Sequence, residues 1–195
     1  KKIEKNLPDG LSLNISFDRS FYVKAAIFEI WKTLAIAFVL VTLIIFLFLG
    51  NIKSVIVPAV ALPVSLIGTF LGLWIFDLSI NIFVLLSFIL AIGIITDDSV
   101  IMTDAIYQRI EDGQTPLVAS FLGAKSVTAP IISTTLVLVA SFAPLIFLSG
   151  ITGTLFRETA IALSFAIVVS SFVALTLSPA LAANFLSKNM KKSKI

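Results

Sequence analysis

Five apolar runs, residues 33–49, 55–76, 80–107, 127–148 and 159–178, leave this 195-residue chain few ways to fold. Each approaches or exceeds the ~20 residues a helix needs to cross ~30 Å of hydrocarbon at ~1.5 Å rise per residue. Lipid offers backbone N–H and C=O groups no partners, so runs of this kind cross as helices. Composition agrees: 58% of the residues are hydrophobic and 13% charged, against about 25% charge in a typical soluble domain. Seventeen Phe residues suit a lipid-facing or helix-packing surface. The expected fold class is an all-α membrane protein of five transmembrane helices.

The first 32 residues are of another kind. Between Gly10 and Asp18, apolar Leu11, Leu13, Ile15 and Phe17 alternate with polar Ser12, Asn14, Ser16 and Asp18, the period of a half-buried β-strand. A lone strand has nothing to pair with, so its sheet is expected upstream of Lys1. The opening Lys-Lys-Ile-Glu, with no initiator Met, likewise predicts a piece of a larger protein. Phe21–Lys32 reads as an amphipathic helix with Ser20 as N-cap and Tyr22 and Trp31 at the membrane–water boundary. The bundle of residues 33–186 is therefore expected to be preceded by a short extracytoplasmic strand and helix over residues 1–32.

Several local signals punctuate the bundle. Thr115-Pro116 predicts a short amphipathic helix over 115–125, separate from the fourth span. Pro130 and Pro144 read as kinks, and Gly68 with Gly72 as a small-xxx-small contact. Gly150 to Glu158 reads as a glycine-rich turn and helix start, with Glu158 near the positive dipole end. Alternate loops carry Lys53, then Arg109 and Lys125, then Lys188, Lys191, Lys192 and Lys194, whereas the opposite loops hold Asp77 and Arg157. The positive-inside rule then places residues 187–195 as a basic cytoplasmic tail and residues 1–32 outside.

The chemistry concentrates in the third run. Asp97 and Asp98 interrupt an otherwise almost wholly apolar stretch from Ile80 to Met102, and each carboxylate at membrane depth costs roughly 2.5–3.5 kcal/mol even on insertion scales. A chain that keeps both points to an intramembrane proton or cation site; the alternative is a helix end capped at the membrane surface. Two carboxylates this close titrate as a unit, so the pair can alternate between loaded and empty states. Asp104, seven residues beyond Asp97, shares its face, and Gly93, one turn before it, offers room for close approach of a neighbouring helix. Within 33–178 the cations are Lys53, Arg109, Lys125 and Arg157, all at loops, so a basic partner for the pair must come from outside this chain.

Other function classes find no support. There is no Cys and no His, which removes thiolate metal sites, disulfides and the commonest general base. No nucleophile set, nucleotide loop or cofactor motif argues for an enzyme. Net charge is only +3, and no basic stripe with interleaved aromatics suggests nucleic acid. The partner such a surface implies is the lipid bilayer.

Four segments carry a resemblance. Leu90-Ala-Ile-Gly-Ile-Ile-Thr-Asp-Asp-Ser-Val100 resembles the "AIGLVVDDAIV"-type fourth helix of resistance-nodulation-division (RND) efflux pumps. Gly150-Ile-Thr-Gly-Thr-Leu-Phe-Arg157 is similar to that family's "GGITGxLFR" turn, and Ala174-Leu-Thr-Leu-Ser-Pro-Ala180 to the "ALTLTPxL" end of its sixth helix. Phe48-Leu-Gly-Asn-Ile-Lys53, with Pro58 and Pro63, matches the second-to-third helix connection. The double aspartate resembles the hydrophobic and amphiphilic (multidrug) branch. The likeness implies transmembrane helices 2–6 after the end of the first periplasmic porter region, in a proton-driven pump of the bacterial inner membrane. It assigns a proton relay to Asp97 and Asp98, with Thr96, Asp104 and Gly93 as candidate supporting residues and no cofactor or metal. It implies as partners the missing remainder of the same pump, a homotrimer, a periplasmic adaptor and an outer-membrane channel. Thr96, Ser99 and Asp104 depart from the family pattern, where an aliphatic residue, Ala and Glu are usual. The competing readings are a proton-driven secretion-accessory or lipid-handling protein, and a non-functional truncated remnant.

Overall fold

The computed structural model describes residues 19–50, 52–77 and 81–186. They form five helices: α1 (Arg19–Leu49), α2 (Ile52–Ile75), α3 (Ile82–Glu111), α4 (Pro116–Ile146) and α5 (Gly150–Phe185). Among the described residues there is no strand. The alternating segment 10–18 and the basic tail 187–195 lie outside them. Stretches Lys53–Ile75, Ile82–Glu111, Pro116–Ile146 and Thr152–Phe185 are long and apolar enough to cross a membrane, and α1 contributes a shorter apolar stretch, Trp31–Leu47. The protein is an all-α membrane bundle.

Local chemistry sets the helix ends. α1 stops where Gly50 turns left-handed (φ 62°) and its N–H returns to the Phe46 carbonyl at 2.9 Å. Asp77 does the same after α2 (φ 52°), its N–H reaching Trp74 O at 3.2 Å; Asp is among the few side chains that tolerate this region. Asn81 caps α3, its Oδ1 accepting from Val84 N at 2.9 Å. Pro116 opens α4, where its missing N–H costs nothing, after Thr115 in extended conformation.

Four expectations about boundaries are corrected. Residues 21–32 are no separate helix: α1 runs unbroken from Arg19, which puts Ser20 inside it and not at its cap. Likewise the short helix foreseen over 115–125 and the span 127–148 are one helix, because nothing between Lys125 and Val127 breaks the backbone. The helix start foreseen in Gly150–Glu158 is present, but the whole segment belongs to α5 with no separate turn, so Glu158 lies two turns past the positive dipole end. At the other end α5 continues through Pro179 to Phe185. A proline removes one backbone bond, and packed neighbours make that tolerable within a bundle.

Packing centres on α5, which lies against α2, α3 and α4, while α3 also touches α1, α2 and α4. One apolar cluster gathers Phe88, Ile92 and Ile95 of α3 with Leu62, Leu73, Leu163 and Ala166. A second gathers Met102, Ile106 and Ile110 with Val57, Ile131 and Ala182. On α3 the two clusters are separated by the residues around Asp97 and Asp98. Phe88 stacks on Phe70 with centroids 4.3 Å apart, and Phe70 on Trp31 at 6.3 Å. Outer faces stay apolar, with Leu40, Leu43, Phe121 and Leu136 more than half exposed, as lipid contact requires.

The Gly68 and Gly72 pair makes the close contact expected of it. A Cβ on Gly68 would sit 2.8 Å from Val169 Cγ1, and one on Gly72 would overlap the Phe165 ring. In lipid, where apolar side chains gain little by leaving their surroundings, such close backbone approach is a principal source of helix association.

Candidate functional site

Asp97 and Asp98 fall at the middle of α3, after about four largely apolar turns and with Val100, Ile101 and Met102 between them and Asp104. Asp97 is exposed on this chain's surface and Asp98 half-buried. The chain alone therefore does not enclose the pair. Both side chains open onto a cavity of about 410 Å³ between α3 and α4, walled by Ile94, Ile101, Ser133, Thr134, Val137 and Leu138. Asp97 also lines a cavity of about 240 Å³ between α1 and α3, with Val41, Ile44, Ile45, Gly93, Thr96 and Val100. At ~30 Å³ per molecule, each has volume for several waters. Neither aspartate forms an ion pair among the described residues.

The supporting residues fare differently. Thr96 is buried and shares the α1–α3 cavity with Asp97, but its hydroxyl donates to the Ile92 carbonyl of its own helix. Asp104 is exposed and accepts from Gln108 Nε2 at 2.8 Å; it stands ~10 Å along the axis from Asp97, at ~1.5 Å per residue. The close helix approach foreseen at Gly93 does not occur, since a Cβ there would meet nothing within 4 Å. Val41, Ile44 and Ile45 stand off across a cavity instead. The tight crossing of α3 lies elsewhere, at Gly123 of α4, where a Cβ would come 3.0 Å from Ile106 Cα. No group of three or more Asp or Glu side chains that could hold a metal ion occurs among the described residues.

Contacts that no local sequence pattern foretells fix the pair's helix to α5. Ser170 Oγ donates to the Ile95 carbonyl at 2.9 Å, two residues before Asp97. Ser178 Oγ meets Ser99 Oγ at 3.4 Å, one residue after Asp98. All three serines are buried. At the N-terminus of α3, Asn81 Nδ2 donates to a Glu158 carboxylate oxygen on α5. Small hydroxyls in an apolar run read as neutral in sequence, and partners 75 to 79 positions apart leave no local period to detect.

Chemically, the arrangement offers two neighbouring carboxylates at the centre of an apolar helix, backed by a fixed scaffold on one side and facing cavities on the others. Each carboxyl group can bind or release a proton, which changes the charge held between the cavities. The sequence model of the AcrB/AcrD/AcrF family matches residues 1–195. The chain belongs to this family. It is 38% identical over 191 residues to an uncharacterized transporter of Haemophilus influenzae, covering 98% of this chain and 18% of that protein. It is also 39% identical over 192 residues to the multidrug resistance protein MdtC of Pectobacterium carotovorum, covering 98% of this chain and 19% of MdtC. With MdtC of Yersinia enterocolitica the identity is 39% over 184 residues, 94% of this chain and 18% of the relative. The chain thus spans under a fifth of the length of the curated relatives it matches. Within this AcrB/AcrD/AcrF chain, three of the four segments that carried the resemblance lie on α3 and α5, which pack against each other.

Proposed function

We propose that this chain is the carboxylate-bearing part of the membrane engine of a proton-driven exporter of hydrophobic or amphiphilic compounds. The observation that carries the reading is the Asp97/Asp98 pair at mid-helix, open to cavities on two sides of α3. Membership of the AcrB/AcrD/AcrF family and the similarity to proteins named for multidrug resistance support it. Asp97 and Asp98 take up protons from one side of the bacterial inner membrane and release them to the other. Neutralising the pair removes a desolvation cost of several kcal/mol, enough to bias a two-state arrangement of the surrounding helices. The rest of the pump supplies the basic group that balances the empty, charged state. Residues 1–32 are the end of the periplasmic porter region together with the part of α1 that leads into the membrane, and the tail 187–195 lies in the cytoplasm. The working assembly is a trimer joined to a periplasmic adaptor and an outer-membrane channel.

The test is dye export from cells expressing the full-length protein that contains this chain. Efflux of a lipophilic cationic dye is expected, and an uncoupler that collapses the proton gradient should abolish it while ATP is held constant. Unchanged efflux after uncoupling would refute proton drive. Dye retention with proton-dependent movement of lipid or protein would point to the lipid-handling or secretion-accessory class.

A further inference from the structure

We infer that Glu158 is a positioning residue for the proton-bearing helix, setting the placement of α3 along α5 through its bond to Asn81. The inference rests on the proton-relay reading given above, and it adds a residue that lies ~24 Å along the axis from Asp97, at ~1.5 Å per residue.

Asn81 uses both ends of its side-chain amide. Oδ1 accepts from Val84 N at 2.9 Å and so caps α3, and Nδ2 then points away from the helix. Glu158 accepts from that Nδ2. Both residues are half-buried, where a lost partner is costlier than on an open surface. Glu158 thus orients the cap and ties the first turn of α3 to α5 with one contact. Between this point and the Ser170 contact at the Ile95 carbonyl, the α3 residues packed inward are largely apolar, including Val84, Leu85, Phe88, Ala91 and Ile92. Apolar contacts tolerate sliding by a fraction of a turn, whereas polar contacts between helices select one register. Two such contacts bracket the aspartates, at Ile95 and Ser99, and the Glu158 contact holds the far end. Without it, α3 is free to tilt about the inner pair of contacts, and the carboxylates shift relative to α4 and α1.

The experiment uses the full-length protein in proteoliposomes with nitroxide labels at two exposed sites, Leu90 on α3 and Phe172 on α5. Glu158→Ala is expected to broaden the distance distribution between them and to lower proton-driven dye export about fivefold, the effect of losing one interhelical hydrogen bond. Glu158→Gln keeps an oxygen that accepts from Asn81 and should restore both readouts. Asn81→Ala should reproduce the Glu158→Ala effect, and the double variant should add nothing to either. A distance distribution that stays narrow in Glu158→Ala, or effects of the two alanine variants that add, would overturn the inference. The label distances need no transport to be read. Failure of proton coupling with a broadened distribution would therefore sink the relay and leave the positioning role standing.

Discussion

Asp98→Asn in the full-length protein is expected to abolish proton-driven export and leave the protein at least as thermostable as before. Asn matches the shape of a protonated Asp but cannot release a proton, so the pair is held in one state. Losing the coupling between protonation and helix arrangement should cost about a hundredfold in transport, the upper part of the usual range for coupled sites. Stability should move the other way. Asp98 is half-buried next to Asp97, and no ion pair balances either among the described residues. Removing one charge therefore removes desolvation cost and mutual repulsion, while Asp97 remains to balance the basic group supplied by the rest of the pump. Melting curves in detergent, read beside dye export from the same preparation, check both halves. Retained transport would refute the relay, and a large drop in melting temperature would mean that the carboxylate is structural.

Valine at both Gly68 and Gly72 should prise α2 from α5. The Gly68 Cβ would press on Val169, and that of Gly72 would enter the Phe165 ring, which is itself held edge-on by Phe76 at 5.7 Å. Overpacking of this kind costs about 1–3 kcal/mol per site. The double variant should express poorly and run as aggregate in size-exclusion chromatography of the full-length protein. Phe165→Ala should recover much of the loss from Gly72→Val alone, because it removes the ring that the new methyl groups strike. No recovery would mean that the α2–α5 approach is set by something other than these contacts.

The two glycine expectations show what was legible in the sequence and what was not. A glycine on a helix says that another helix can come close; it does not say that one does. Gly68 and Gly72 meet α5, whereas Gly93 faces a cavity between α1 and α3. The positions of the long apolar helices were legible because hydropathy reports the solvent. Their ends were less so. Hydropathy drops at Arg157 and Glu158 and around Lys125, but a helix needs backbone bonding, not apolarity, and it continues through both places. Pro179 looked like a terminus and is an interior residue. The aspartate pair stood out because charge in an apolar run is rare. Asn81, Ser170 and Ser178 did not, since their roles depend on partners brought near only by folding.

α5 is the longest of the five described helices. Its 36 residues extend ~54 Å at ~1.5 Å per residue, well beyond the ~30 Å of hydrocarbon. Even leaning by ~40° the rod outspans the acyl layer and reaches headgroup depth at both ends. Arg157 and Glu158 are the charged residues near its N-terminus, where a rod this long is expected to clear the fatty interior. A thicker or thinner bilayer can slide past such a rod without unseating it, and thickness-driven tilting should fall on the shorter α2 instead.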